Sequence, residues 1–174
     1  MRIGVFTALF QNLPLAEALD KAVAAGVTAV EIGAGGYPGS QHCPVDDLLA
    51  SAAKRDEYLE AITSRGLILS ALSVHNNPLH PHPDIAKEAD TVIRKAVELA
   101  KLLNVPVVNG FSGLPAGAPG DAMPNWVTCP WPPEFLEMLD YQWNQVAIPY
   151  WRETEQFIAD QGVKFAFEMH PGML

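Results

Sequence analysis

Residues 66–75 read GLILSALSVH, and this stretch decides the fold class. Gly66, which tolerates a left-handed backbone, stands directly before an apolar run of strand length at residues 68–74. A helix that ends at a left-handed residue and leads into a buried strand has this form. The same combination recurs at three other positions: Gly26, Asn104 and Gly162. The first three of these four positions lie 40 and 38 residues apart, which predicts a repeating unit of one strand and one helix.

Apolar runs of strand length alternate with longer segments of helical period along the chain. The predicted strands are residues 3–9, 29–32, 68–74, 105–109 and 164–168. The predicted helices are residues 15–23 and 85–100, followed by residues 133–148 and 149–160, which Pro149 separates because it cannot donate a backbone hydrogen bond. This alternation predicts βαβ units and a parallel sheet that is buried on both faces.

Two architectures fit five parallel strands with helical crossovers: an open, doubly wound sheet, and the first part of a TIM-type (β/α)8 barrel. The turn after the first strand, FQNLP at residues 10–14, has no glycine to cradle a phosphate, and nothing follows the fifth strand to cover its outer face. Both observations favour the barrel. A whole barrel needs about 250 residues, so residues 1–174 are interpreted as the N-terminal portion of a single (β/α)8 domain, with unpaired edges on the first and fifth strands.

Composition limits the classes of partner and the cellular location. Hydrophobic residues make up 49% of the chain, and the formal net charge of -9 disfavours binding to a phosphate backbone. The N-terminal apolar run is broken at residues 11–14, so it is too short for a membrane span and lacks a cleavage-site pattern. Two cysteines, Cys43 and Cys129, are too few for a disulfide scaffold. A cytoplasmic protein without nucleic-acid or membrane partners is predicted.

Candidate functional residues lie at the carboxyl ends of the predicted strands, where both architectures gather their sites. These residues are Glu31, His75, Asn109, Glu168 and His170. A carboxylate that ends an apolar strand has to be paired, liganded or protonated, so Glu168 is either a functional group or half of a salt bridge. Glu31 has the same placement and either orients a substrate hydroxyl or pairs with a cation. His75 is the histidine best placed to contact a metal or a substrate oxygen.

Two further groups of residues are weaker candidates. His42 stands beside Cys43 and could serve it as a base, although no local signature supports a nucleophilic pair. Trp126 and Trp131 lie in a long loop, residues 111–133, that is rich in Gly, Pro and Trp. They either wall a pocket for the apolar face of a sugar or fix the loop.

Four segments carry a resemblance to a known family: VEIG at residues 30–33, SVHNNPLH at 73–80, IPYW at 148–151 and FEMHPG at 167–172. In this order they resemble the sugar phosphate isomerase/epimerase group of the xylose-isomerase-like TIM barrels, and the last segment is the specific one. The resemblance implies a divalent metal ion (Mn, Mg, Co or Zn) held by Glu168 from the fifth strand, with further ligands from later strands. It also implies that His75 faces the substrate and that His170 lies beside the site.

The implied activity is proton transfer next to the carbonyl of a sugar or a sugar-derived ketone. Glu168 and His75 are the expected catalytic residues, and Glu31, Asn109 and His170 the expected substrate-binding ones. Since the later ligands have no counterpart here, we expect the ion to be held weakly or not at all, and the chain to be inactive unless it is completed. Completion would come from a homo-oligomer or from pairing through the open strand edges.

Two other functions remain open from the sequence. One is a non-catalytic domain that binds a small molecule or assembles with a partner through its open edges. The other is a relative of the apurinic-site endonucleases, which the negative charge disfavours.

Overall fold

The computed structural model describes residues 2–174, and its five strands form one parallel sheet. The strands are β1 (Gly4–Phe6), β2 (Ala29–Gly36), β3 (Ile68–His75), β4 (Val107–Gly110) and β5 (Lys164–Phe167). They lie side by side in chain order, and every neighbouring pair is parallel. A doubly wound sheet reverses its strand order at a switch point, whereas this sheet does not. The doubly wound alternative is therefore wrong, and the fold is an open, partial TIM barrel.

Six α-helices connect the strands: α1 (Leu15–Ala24), α2 (Val45–Ala50), α3 (Ala52–Thr63), α4 (Pro83–Leu102), α5 (Glu134–Asp140) and α6 (Ile148–Asp160). The left-handed position at Gly66 predicts that a helix ends before β3, as α3 does, but the bounds of α2 and α3 were not predicted. Only Tyr58 and Ile62 of α3 are buried, so this helix has little apolar periodicity to recognise. The four predicted left-handed positions before strands are confirmed, with φ of 77° at Gly26, 73° at Gly66, 55° at Asn104 and 71° at Gly162.

The first two strands differ in length from the prediction. β1 ends at Phe6, and the apolar residues that follow form a 3₁₀ helix, Thr7–Phe10, because a short apolar run does not by itself distinguish a strand from a helical turn. β2 continues past the predicted end at residue 32 to Gly36. Gly36 has a φ of 74°, and a Cβ there would lie 2.4 Å from the His75 carbonyl oxygen. Only glycine permits this approach of β2 to the end of β3.

The chain stays helical where the sequence predicts two separate helices. The seven residues Tyr141–Ala147 form a π-helix between α5 and α6, and the Ile148 N–H donates to the carbonyl of Trp143, five residues back. Pro149 lies in the first turn of α6, as predicted, at the point where the π pattern gives way to the α pattern, and as a proline it donates no backbone hydrogen bond there. The predicted break between two helices is wrong, because the π-helix joins α5 to α6 in one continuous helical run.

One buried side chain in the π-helix holds the long loop that follows β4. Gln142 is fully buried, and its Nε2 donates to the carbonyls of Asn125 at 2.6 Å and Ala116 at 3.0 Å. Buried carbonyls need such donors, so the loop packs as ordered structure on the π-helix.

The two faces of the sheet have different surroundings. Val30, Ile32, Leu72, Val74 and Val108 are fully buried on the face that packs against the helices. The alternate residues project to the opposite face, the concave side of the partial barrel, as the period of two in a strand requires. The register aligns Gly33, Ser73, Asn109 and Ala166 across this concave face. Polar side chains at its carboxyl edge therefore converge.

Candidate active site at the carboxyl edge of the sheet

A histidine and a carboxylate meet where β3 and β5 end. His75 is the last residue of β3, and Glu168 directly follows β5, where its N–H donates to the Gly110 carbonyl. His75 Nε2 lies 2.7 Å from Glu168 Oε2. The carboxylate is an acceptor, so Nε2 carries the proton and donates it. The His75 side chain is 7% exposed and that of Glu168 is 53% exposed, so the carboxylate is held on one side and open on the other.

Aromatic rings surround this pair. The ring of Phe111, from the residue after β4, lies 4.6 Å from the His75 ring and 4.8 Å from the His170 ring. The Phe6 ring lies 6.0 Å from that of His75, and the Tyr37 ring 6.4 Å from that of Phe111. His170 Nδ1 donates a hydrogen bond to the carbonyl oxygen of the next residue, Pro171, at 2.7 Å. The wall of the site is therefore largely apolar, and its polar side chains include Gln11 besides His75, Glu168 and His170.

The site is a cavity of about 630 Å³ at the carboxyl edge of the sheet. Its lining includes His75, Glu168, His170 and the aromatic wall formed by Phe6, Tyr37 and Phe111. Three of the five predicted site residues thus come together. The aromatic wall is absent from the prediction, although Phe111 directly follows a strand and that position could have identified it.

Glu31 and Asn109 lie one layer below the cavity. Glu31 accepts a hydrogen bond from the Ser73 hydroxyl and does not line the cavity. Asn109 is half-buried beside Ser73 in the register of β3 and β4. Among residues 2–174 neither forms an ion pair with a Lys or Arg side chain, so the interpretation of Glu31 as the partner of a neighbouring Lys or Arg is wrong. Both side chains form part of the floor beneath the His75–Glu168 pair.

The donor atoms at this edge can be compared with the ligands that the implied metal ion needs. Glu168 offers carboxylate oxygens and His75 offers its Nδ1, since His75 Nε2 carries the proton donated to Glu168. Both are ligand types that divalent transition metals accept. Within residues 2–174, no three or more His, Cys, Asp or Glu side chains come close enough to hold an ion. The pair fits part of a coordination sphere. An ion held by these two side chains alone would keep most of its water and bind loosely.

The weaker candidates lie elsewhere. His42 Nε2 lies 2.9 Å from the Leu13 carbonyl, to which it donates, so this nitrogen is engaged away from Cys43. Trp126 and Trp131 are 47% and 73% exposed and do not line the cavity. The structure thus gives no support to a His42–Cys43 nucleophile or to a tryptophan wall at this site.

The two thiols are expected to differ sharply in reactivity. Burial raises the pKa of Cys43 to about 12, and the nearby Tyr58 hydroxyl offsets only part of that rise. At pH 8 the Cys43 thiol therefore stays protonated, whereas Cys129 is exposed. We expect Ellman's reagent to modify one thiol per native chain quickly and Cys43 at least about 100-fold more slowly. Cys129→Ser should remove the fast phase, and a fast phase that survives would contradict the burial of Cys43.

The sheet has five parallel strands in chain order, with helices against one face and a polar cluster at the carboxyl edge of the other. This arrangement defines a partial (β/α) barrel with its site at the usual end. The sequence profile of the family described as xylose isomerase-like TIM barrel matches residues 19–174. The chain therefore belongs to the xylose isomerase-like TIM barrel family.

Individual relatives agree with this assignment. The chain is 39% identical over 171 residues to the uncharacterized protein YfiH of Bacillus subtilis (strain 168), an alignment that covers 97% of this chain and 54% of YfiH. A putative xylose isomerase from Rhodospirillum rubrum superposes with a TM-score of 0.64 at 17% identity, over 99% of this chain and 56% of that one. D-psicose 3-epimerase with D-tagatose, from Clostridium cellulolyticum H10, superposes with a TM-score of 0.60 at 17% identity, over 97% and 52%. The chain thus spans about half the length of the relatives it matches.

Across residues 2–174, no helix combines the length and the apolar character needed to cross a membrane.

Proposed function

We propose that the natural full-length protein is a divalent-metal-dependent isomerase or epimerase that acts on a sugar or a sugar-derived ketone by proton transfer next to the carbonyl. The observation that carries the proposal is the 2.7 Å contact between His75 Nε2 and Glu168 Oε2 inside the cavity at the carboxyl edge. The substrate class is supported by a relative of the same fold, a D-psicose 3-epimerase with D-tagatose.

Glu168 is the proposed base and metal ligand. Its half-exposed carboxylate borders the cavity, so it can reach a carbon next to a bound carbonyl, remove a proton and return it. His75 binds one carboxylate oxygen through Nε2–H, and this fixes the direction in which the other oxygen is presented. A bound divalent ion would supply polarisation of the carbonyl oxygen, which stabilises the negative charge that develops there.

The remaining predicted residues are proposed to bind the substrate. His170 borders the cavity and can contact a hydroxyl through the ring nitrogen that Pro171 does not occupy. Glu31 and Asn109 are proposed to reach a hydroxyl from the floor below. The ring of Phe111 offers an apolar surface for the C–H face of a sugar.

Completion of the site is proposed to come from beyond these five strands. β1 and β5 are edge strands with unpaired backbone groups. The His75–Glu168 pair, at the carboxyl ends of β3 and β5, is short of a full coordination sphere. Pairing of these edges with further strands, of the same polypeptide or of a second copy, would enclose the cavity and add ligands.

Hydrogen exchange into a ketose tests the proposal most directly. We expect the full-length protein, supplied with Mn²⁺, Mg²⁺, Co²⁺ or Zn²⁺ in D₂O, to incorporate deuterium next to the carbonyl of a ketohexose and to yield its epimer or the isomeric aldose. Proton NMR measures both, and protein treated with EDTA is the control, in which exchange should fall to the uncatalysed rate.

The other functions predict different results. Ketose binding without deuterium incorporation for any of the four metals would overturn the proposal and leave a non-catalytic binding domain. Nicking of abasic DNA without ketose turnover would indicate the endonuclease branch.

A further inference from the structure

A buried asparagine ties together the loops that follow β3 and β4. Asn77 lies two residues beyond His75, and only 6% of it is exposed. Its Nδ2 donates to the Leu114 carbonyl at 2.8 Å, and its Oδ1 accepts from the Leu114 N–H, also at 2.8 Å. Oδ1 accepts a second hydrogen bond from the Leu79 N–H at 3.1 Å. One side chain therefore satisfies both backbone groups of Leu114, as a neighbouring strand would.

The backbone is closely packed around the hydrogen bonds between Asn77 and Leu114. Gly113 has a φ of 95°, and a Cβ there would lie 2.7 Å from Leu79 Cγ and 3.1 Å from Asn77 Oδ1. The two loops are therefore in close contact at Gly113, and a side chain would push them apart. On the other side of this segment, Trp151 Nε1 donates to the Ser112 carbonyl at 2.7 Å.

These contacts fix the residue that forms the aromatic wall. Phe111 lies three residues before Leu114, and its ring sits between the rings of His75 and His170, at 4.6 Å and 4.8 Å. The distance between two packed rings depends on the backbone that carries each of them. Asn77 links the backbone that carries Phe111 to the backbone that carries His75.

We propose that Asn77 is a positioning residue, which holds Phe111 against His75 and His170 and thereby sets the shape of the cavity at the carboxyl edge. It acts through the loop and does not line the cavity itself. The effect of Asn77 on the position of the Phe111 ring does not depend on the proposed function. Its effect on turnover rests on that function.

Ring-current shifts in NMR spectra of the chain itself report the position of Phe111 directly. We expect Asn77→Ala to move the imidazole C–H resonances of His75 and His170 by more than half of the shift that Phe111→Leu produces. The Leu114 amide should also exchange with solvent at least tenfold faster than in the unaltered chain. Unchanged imidazole resonances in Asn77→Ala would overturn the proposal.

The neighbouring asparagine supplies a matched control. Asn76 is also buried, but its Nδ2 donates to the Ala89 carbonyl on α4, away from the loop. Asn76→Ala should lower stability and leave the two imidazole resonances in place. If it moves them as far as Asn77→Ala does, loss of stability and not positioning explains the shift, and the proposal fails.

A conservative variant covers the case in which Asn77→Ala does not fold. Asn77→Asp keeps an acceptor for the Leu114 and Leu79 N–H groups but puts a carboxyl oxygen in place of the donor to the Leu114 carbonyl, so it should move the imidazole resonances in the direction of Phe111→Leu. Resonances identical to the unaltered chain would again overturn the proposal.

Kinetics separate this inference from the proposed function. In the full-length protein, Asn77→Ala should raise KM for a ketose by about tenfold with a smaller change in kcat, because the shape of the cavity changes while Glu168 and His75 remain. If the full-length protein turns over no ketose, the proposed function fails, and the NMR shifts still decide the role of Asn77.

Discussion

Replacing Glu168 with glutamine in the full-length protein is expected to lower kcat/KM for ketose epimerisation by about 10²- to 10⁴-fold, the range that a general base contributes. Glutamine keeps the size of the side chain. Its amide oxygen can still accept the hydrogen bond from His75 Nε2–H, which in the unaltered chain lies 2.7 Å (Nε2 to Oε2) from the carboxylate. It cannot take up a proton, and it is a weaker ligand for a divalent ion. The loss should therefore appear mainly in kcat.

Deuterium incorporation measured at saturating ketose gives kcat for the exchange step, and two further variants sharpen the result. Glu168→Asp keeps the charge but withdraws it by one methylene, so it should retain more activity than Glu168→Gln. Glu98→Gln makes the same chemical change on an exposed position of α4 and should leave kcat/KM within about twofold. Glu168→Gln with at least half of the original activity would remove Glu168 from the mechanism.

The order of the elements is the part of the fold that the sequence predicts best. Each strand from β2 to β5 is an apolar run that follows a left-handed residue, and these local signals do not depend on distant contacts. The length of β2 could not be predicted, because Gly33, Gly35 and Gly36 weaken any strand signal. Glycine is needed at Gly36 because the β3 backbone passes close to it at His75, 39 positions away along the chain, and at Gly35 because the Val92 side chain of α4 lies against it.

The site was predictable where position along a strand determines it. His75 and Glu168 are recognised because each is a polar residue at the end of an apolar run, and parallel strands bring such ends to one edge. The same rule placed Glu31 too high, because it does not reveal how far a strand extends. It also placed Asn109 too high, because the register pairs Asn109 with Ser73, two residues before His75. β2 continues beyond Glu31 by five residues, so that carboxylate lies in a lower layer and bonds to Ser73.

The aromatic wall as a whole depends on long-range packing, although the position of Phe111 directly after β4 is a local signal for one of its three rings. Phe6, Tyr37 and Phe111 come from three different strand ends, and each alone resembles an ordinary apolar residue near a loop. Their common role follows only when the register of β1 to β4 is known. The same reasoning applies to Asn77, whose partner Leu114 is 37 residues away.

Two adjacent valines in β4 are expected to differ in their contribution to stability, because they face opposite sides of the sheet. Val108 is fully buried against the helices, and Val107 is half-buried and projects to the same concave side as Asn109. We expect Val108→Ala to lower the free energy of unfolding by about 2 to 3 kcal/mol, from lost apolar burial and the cavity left behind. Val107→Ala should lower it by less than about 1 kcal/mol, since part of that side chain already contacts solvent.

Urea unfolding followed by circular dichroism measures the free energy of unfolding of both variants. The reference measurement uses the chain at a dilution at which its mass is that of a monomer. If the concave side is closed by further strands or by a second copy, Val107 becomes a core residue there, and the cost of Val107→Ala should rise toward that of Val108→Ala. Comparing the dilute chain with the full-length protein therefore measures how far the concave side is covered. Equal costs in the monomeric chain would contradict the open barrel, because they would require Val107 to be as deeply buried as Val108.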